Sequence, residues 1–194
     1  MSHAHILSYD KDLITGKRAN AVIGVLFFIL ATALGAYVRI PVPASPVPIT
    51  LQTFFVLLAG AVLGRRLGIM SQIGYILLGA IGLPVFQGAG FGASCLLGPT
   101  GGYIIGFVFA AYAVGCITRS GKPGMVRLIA AFSSGSMIIY AFGAAWLVYL
   151  YKLQPANAVS IGVLPFIAGD VTKILLAAVV YSKISQRANT IFPA

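Results

Sequence analysis

The sequence predicts an all-α integral membrane protein with six transmembrane helices and both termini in the cytoplasm. Three observations predict it. Of 194 residues, 59% are hydrophobic and only 8% charged, against roughly 25% charged in soluble domains. The mean hydropathy is +0.99. Apolar runs of about 17–25 residues, the length that crosses a bilayer, recur from Ala21 to Ile184. The predicted organisation is a polar cytoplasmic tail over residues 1–20, amphipathic or disordered, a six-helix membrane domain over 21–184, and a short cytoplasmic tail over 185–194.

The elements follow in chain order. The tail ends in Lys17 and Arg18, and the first span is expected at 21–38. Pro41, Pro43, Pro46 and Pro48 then rule out helix, because each proline lacks an N–H and pushes the preceding residue toward an extended shape. A second, short span is expected at 49–63, stopping at Gly64-Arg65-Arg66, and a third at 67–83, ended by Pro84. After a Gly-rich connection over 85–99 come a fourth span at 100–117, a fifth at 125–151 and a sixth at 161–184.

Orientation comes from the basic residues. Lys11, Lys17, Arg18, Arg65, Arg66, Arg119, Lys122, Arg127, Lys183 and Arg187 fall on the side of the termini, and only Arg39 and Lys152 on the other. Lys and Arg in short connections favour the cytoplasm, so the Pro-rich and Gly-rich loops face outward.

The formal charge of +10 would suggest nucleic acid in a soluble chain. Here the basic residues punctuate apolar segments without interleaved stacking aromatics, which argues against it. Cys95 and Cys116 form no disulfide framework. His3 and His5 lie in the polar tail, so no intramembrane metal site or catalytic triad is expected. Gly98-Pro99-Thr100-Gly101-Gly102-Tyr103 lacks the Lys of a phosphate-binding loop.

Four groups of residues carry candidate chemistry. Asp170 and Lys173 lie within the sixth expected span, three residues apart on one helical face. Each costs roughly 2.5–3.5 kcal/mol to place at the centre of a membrane helix. A structural ion pair is one explanation. A depth of about nine residues from the outer end, about 13 Å at ~1.5 Å per residue, favours a polar cavity open to the outside. Thr50 and Gln52 bring a hydroxyl and an amide to the start of the second span, where Thr50 serves equally as a helix cap. Tyr103 opens the fourth span. Tyr140 and Trp146 lie on the fifth, where aromatic rings either fill the membrane core or wall a flat ligand.

The runs IPVPASPVPITLQTFFVLLAG (residues 40–60), GLPVFQGAG (82–90), GPTGGYIIGF (98–107) and PFIAGDVTK (165–173) together resemble the BioY family. The resemblance implies a capture subunit that binds biotin from outside and works with a transmembrane scaffold subunit and paired ATPase subunits of an energy-coupling-factor importer. ATP would be used by those partners, biotin would be cargo and not a cofactor, and the protein would reside in a bacterial cell membrane. It further implies that Asp170 and Lys173 engage biotin, Asp170 at the ureido N–H edge and Lys173 at the carbonyl or against Asp170. Gln87 falls near where other members place an asparagine. The loop holding Pro41, Pro43, Pro46 and Pro48 is expected as a lid, with Gln52, Phe86, Tyr103, Tyr140 and Trp146 lining the cavity. Capture subunits generally carry Ala-x-x-x-Ala on the first span for scaffold docking. No strict version occurs here, and Asn20 with Gly24, or Ala31 with Gly35, provide that spacing. A stand-alone facilitator of a small organic solute or vitamin is the alternative. An intramembrane enzyme is disfavoured by one membrane Asp and no membrane His.

Overall fold

A computed structural model describes residues 3–43, 45–119 and 123–192, with side chains described from residue 16 onward. The described elements are almost purely helical: α1 (His3–Tyr37), α2 (Gln52–Ala80), α3 (Gly92–Leu96), α4 (Gly101–Thr118), α5 (Met125–Tyr151), α6 (Pro155–Gly162) and α7 (Ile167–Ile191). The one described sheet is a hairpin of two-residue strands, β1 (Arg39–Ile40) and β2 (Ile49–Thr50), with Arg39 opposite Thr50. Among the described residues five stretches are long and apolar enough to cross a membrane: Gly16–Tyr37, Gln52–Ala80, Gly101–Thr118, Met125–Tyr151 and Pro155–Ile191.

Helix α2 is not straight. Gly64 inside it has φ 78° and ψ 178°, a conformation that costs a residue with a Cβ but not glycine. The chain turns back there, so that the Gln52 Nε2 donates to the Tyr75 hydroxyl at 2.5 Å. Those residues would stand about 35 Å apart on one straight helix. The expected break at Gly64-Arg65-Arg66 is therefore real, while the helical segment begins at Gln52 and ends at Ala80, with Ile49 and Thr50 extended in β2.

The other boundaries shift as well. α4 and α5 match expectation to within a residue. The N-terminal segment expected as a tail continues the helix of the first span back to His3, and α7 runs on to Ile191. The last span does not start as one helix at Ile161. α6 ends at Gly162, Val163 departs from helical geometry (φ −130°, ψ −56°), and a 3-10 turn (Leu164–Phe166) precedes α7. Asp170 accordingly sits in the first turn of α7 instead of mid-helix, where a carboxylate also benefits from the positive end of the helix dipole.

Packing divides the molecule into two ends. At one end Gly60 lies against the backbone of Ala111, and Gly115 against that of Arg65, with no room for a Cβ at either. Arg119 closes this end. Its Nη2 donates to the Val62 carbonyl at 2.5 Å and its Nη1 to the carbonyl of Phe192, tying α4 to the α2 bend and to the end of α7. Burial lowers the Arg119 pKa from its ordinary value. At the opposite end the Tyr37 hydroxyl donates to the Pro84 carbonyl at 2.5 Å, which brings the β1–β2 hairpin beside the Gly-rich connection.

Candidate functional site

That second end holds a cavity open to the outside, with about 540 Å³ of empty space when the solvent at its mouth is included. Its walls come from six places. The hairpin supplies Val47, Pro48, Ile49 and Thr50, and the start of α2 supplies Gln52 and Thr53. Gln87 projects from the Gly-rich connection. α4 adds Thr100, Tyr103, Ile104 and Phe107, α5 adds Ile139 and Tyr140, and Phe166 leads into Asp170 and Lys173 on α7.

The polar groups converge on Asp170, a carboxylate only 4% exposed. Lys173 Nζ lies 2.6 Å from its Oδ1, as the i, i+3 spacing allows. The Tyr140 hydroxyl donates to Oδ2 at 2.5 Å, and the Thr53 hydroxyl to Oδ1 at 3.4 Å. Lys173 also donates to Thr53 Oγ1 at 3.1 Å. An ionised carboxylate has about four lone-pair sites and an ammonium three N–H donors. Three donors reach Asp170 and two acceptors receive Lys173, so each keeps capacity for a ligand. Next to them the Gln52 amide is held by Tyr75 and by the Thr50 hydroxyl, which donates to Oε1 at 3.3 Å. Thr50 is thus tied to Gln52, and no side-chain cap bond forms at the start of α2.

The remaining walls are apolar. Tyr103 contributes its ring while its hydroxyl donates to the Gly162 carbonyl at 2.7 Å, and it meets Phe166 edge-on, with centroids 6.3 Å apart. A site of this shape takes a molecule with a compact hydrogen-bonding head and an apolar body.

Seven of the expected lining residues meet at the cavity: Thr50, Gln52, Gln87, Tyr103, Tyr140, Asp170 and Lys173. Two do not. Phe86 is fully buried beneath the cavity, edge-on to Tyr75 with centroids 5.5 Å apart. Trp146 packs over Gly101 and Gly102 and donates from Nε1 to the Gly98 carbonyl at 2.9 Å. It anchors the start of α4 from outside the cavity. In the expected lid only Pro48 reaches the cavity, with Val47 and Ile49 beside it, whereas Pro41, Pro43 and Pro46 face outward.

The small residues on α1 also have another use. Gly24 is covered by the Phe192 ring and Leu63, Gly35 lies on Leu51, Gln52 and Phe55, and Ala31 is buried. Their missing bulk lets elements of this same chain approach, so these three face inward, and of the four only Asn20 is exposed. Sequence reasoning did not single out Thr53, though it directly follows Gln52. The apolar lining residues had no signal, since nearly every neighbour is equally apolar.

A helical membrane bundle with an acid–base pair at the bottom of an apolar-walled hollow has the architecture of a membrane solute-binding protein. The BioY family profile matches residues 8–190. The chain belongs to that family. It is 41% identical over 167 residues to the probable biotin transporter BioY of Pyrococcus horikoshii, covering 86% of this chain and 97% of that protein. With the biotin transporter BioY of Thermotoga maritima it shares 38% identity over 159 residues, 82% of this chain and 92% of that one. The fold matches the crystal structure of the S-component for biotin from an ECF-type ABC transporter with a TM-score of 0.81 at 27% identity, covering 87% of this chain and 92% of that chain. These relatives are named as transporters.

Proposed function

We propose that this protein captures biotin at the outer face of a bacterial cell membrane and delivers it as the substrate-specific subunit of an energy-coupling-factor importer, with no catalytic role and no cofactor of its own. The observation that carries the reading is the Asp170–Lys173 pair, with Tyr140 and Thr53, at the polar end of an apolar cavity. Asp170 accepts the ureido N–H groups, and the free Lys173 donor reaches the ureido carbonyl. Gln87 and Gln52 border the ring system, while Tyr103, Phe107 and Phe166 cover its apolar surface. Burying that surface contributes about 25 cal/mol per Å².

The reversal at Gly64 supports six crossings, with the two halves of α2 counted separately. The distribution of basic residues supports cytoplasmic termini. Transport then requires a transmembrane scaffold subunit and paired ATPases, which use the ATP. The β1–β2 hairpin acts as the lid through Val47, Pro48 and Ile49.

Calorimetry of the purified chain with biotin tests the capture step, and native mass spectrometry of the chain as isolated should show a retained ligand of biotin's mass. Another vitamin in its place would overturn the substrate. Vesicles holding the chain alone should bind biotin without equilibrating it across the membrane. Rapid uptake by such vesicles would make the protein a stand-alone facilitator instead.

A further inference from the structure

The end of the bundle opposite the cavity has its own chemistry. Lys17, Arg18, Arg65, Arg66, Lys183 and Arg187 are all exposed there. Among the described side chains Asp170 is the one carboxylate, and Lys173 already holds it. From Asp170 to Arg187 is about 25 Å along α7, too far for it to answer these cations across a Debye length of ~8 Å. Arg119 is not part of this set, because its guanidinium turns inward to the Val62 and Phe192 carbonyls.

The cations come from three elements that meet. The Phe192 ring and Leu63, just before the α2 bend, both lie against Gly24 within α1, so the end of α7 and the bend in α2 adjoin α1 six residues beyond Arg18. Four of these cations also lie one turn from an exposed apolar residue. On α1 Arg18 precedes Val22 by four residues, and on α2 Arg66 precedes Met70 by four. On α7 Lys183 follows Val180 by three, and Arg187 follows Ile184 by three. Residues three or four apart share a helical face. Positive charge therefore tops apolar, outward-facing stripes on all three elements.

An occupant matching both features has an anionic head joined to an apolar tail. We propose that this end of the protein binds anionic phospholipids, with Arg18, Arg66, Lys183 and Arg187 on the headgroup phosphates and the apolar residues one turn away against the acyl chains. An acidic soluble protein would match the charge but not the stripes. The inference rests on the chain residing in a bilayer and is independent of the biotin assignment.

The test is native mass spectrometry of the full chain in detergent, titrated with phosphatidylglycerol or with phosphatidylcholine of the same acyl chains. Phosphatidylglycerol adducts should outnumber phosphatidylcholine adducts several-fold, and raising the ammonium acetate concentration should shrink that preference. In the combined variant Arg18→Gln, Arg66→Gln, Lys183→Gln and Arg187→Gln the preference should fall to near parity, since each surface cation contributes to attraction by an anionic leaflet. Biotin binding by the same variant, measured by calorimetry, should be unchanged, which separates this result from a folding defect and from failure of the capture reading. Equal adducts for the two lipids in the unsubstituted chain would overturn the proposal. So would a preference that survives in the variant, or inorganic phosphate competing as strongly as the lipid.

Discussion

Each end of the bundle holds a partly buried cation, and the two ends treat it differently. Lys173 is met by a carboxylate and a hydroxyl beside an open cavity. Arg119 is met by main-chain carbonyls at a place where Gly60 and Gly115 let backbones touch. A partly buried charge thus stays available to a ligand only where space has been kept next to it. Without space, the same kind of charge is a fastener. The difference also explains why the cavity end has the hairpin and the Gly-rich connection, while at the opposite end helices meet directly.

Exchanging the charge at either end separates the roles. Asp170→Asn is expected to lower biotin affinity by roughly 1.5–3 kcal/mol, the range of hydrogen bonds to charged groups, equivalent to about 10- to 150-fold in Kd. The purified variant should remain folded, and calorimetry showing unchanged affinity would remove Asp170 from the site. Arg119→Gln should do the reverse. Losing its bonds to Val62 and Phe192 should cost about 2 kcal/mol of stability, visible as a lower unfolding temperature in detergent, with biotin affinity retained. If affinity dropped as much as stability, the two ends would not be independent.

Smaller substitutions sharpen the boundary of the site. Thr53→Val removes the hydroxyl shared by Lys173 and Asp170 and should weaken biotin binding by about 1 kcal/mol, a typical net hydrogen-bond contribution. Trp146→Phe lies outside the cavity and loses only its bond to Gly98. Its affinity for biotin should change by less than about 0.5 kcal/mol, the scale of substitutions away from critical contacts. A tenfold loss would return Trp146 to the lining.

Much of this division was legible in the chain. Hydropathy located the apolar helices, five stretches of which are long enough to cross a bilayer, and the Asp170–Lys173 pair stood out because charge is costly there. Small residues were harder to read. Gly24, Ala31 and Gly35 have the spacing of a docking stripe, yet the same lack of bulk serves Phe192 and Leu51 within this chain. Aromatic residues were equally ambiguous, and Phe86 and Trp146 proved to support the cavity walls from behind.

By itself the sequence determined which segments avoid water, where glycine and proline forbid continuous helix, and which two charges need each other, since these follow from local composition and spacing. Only the tertiary structure decided that Asp170 sits in the first turn of a helix instead of midway along one, that Tyr140 and Thr53 complete its shell, and that Arg119 turns to the Val62 and Phe192 carbonyls. Those outcomes depend on which side chains from distant elements arrive at the same point, and no spacing along one segment contains that information.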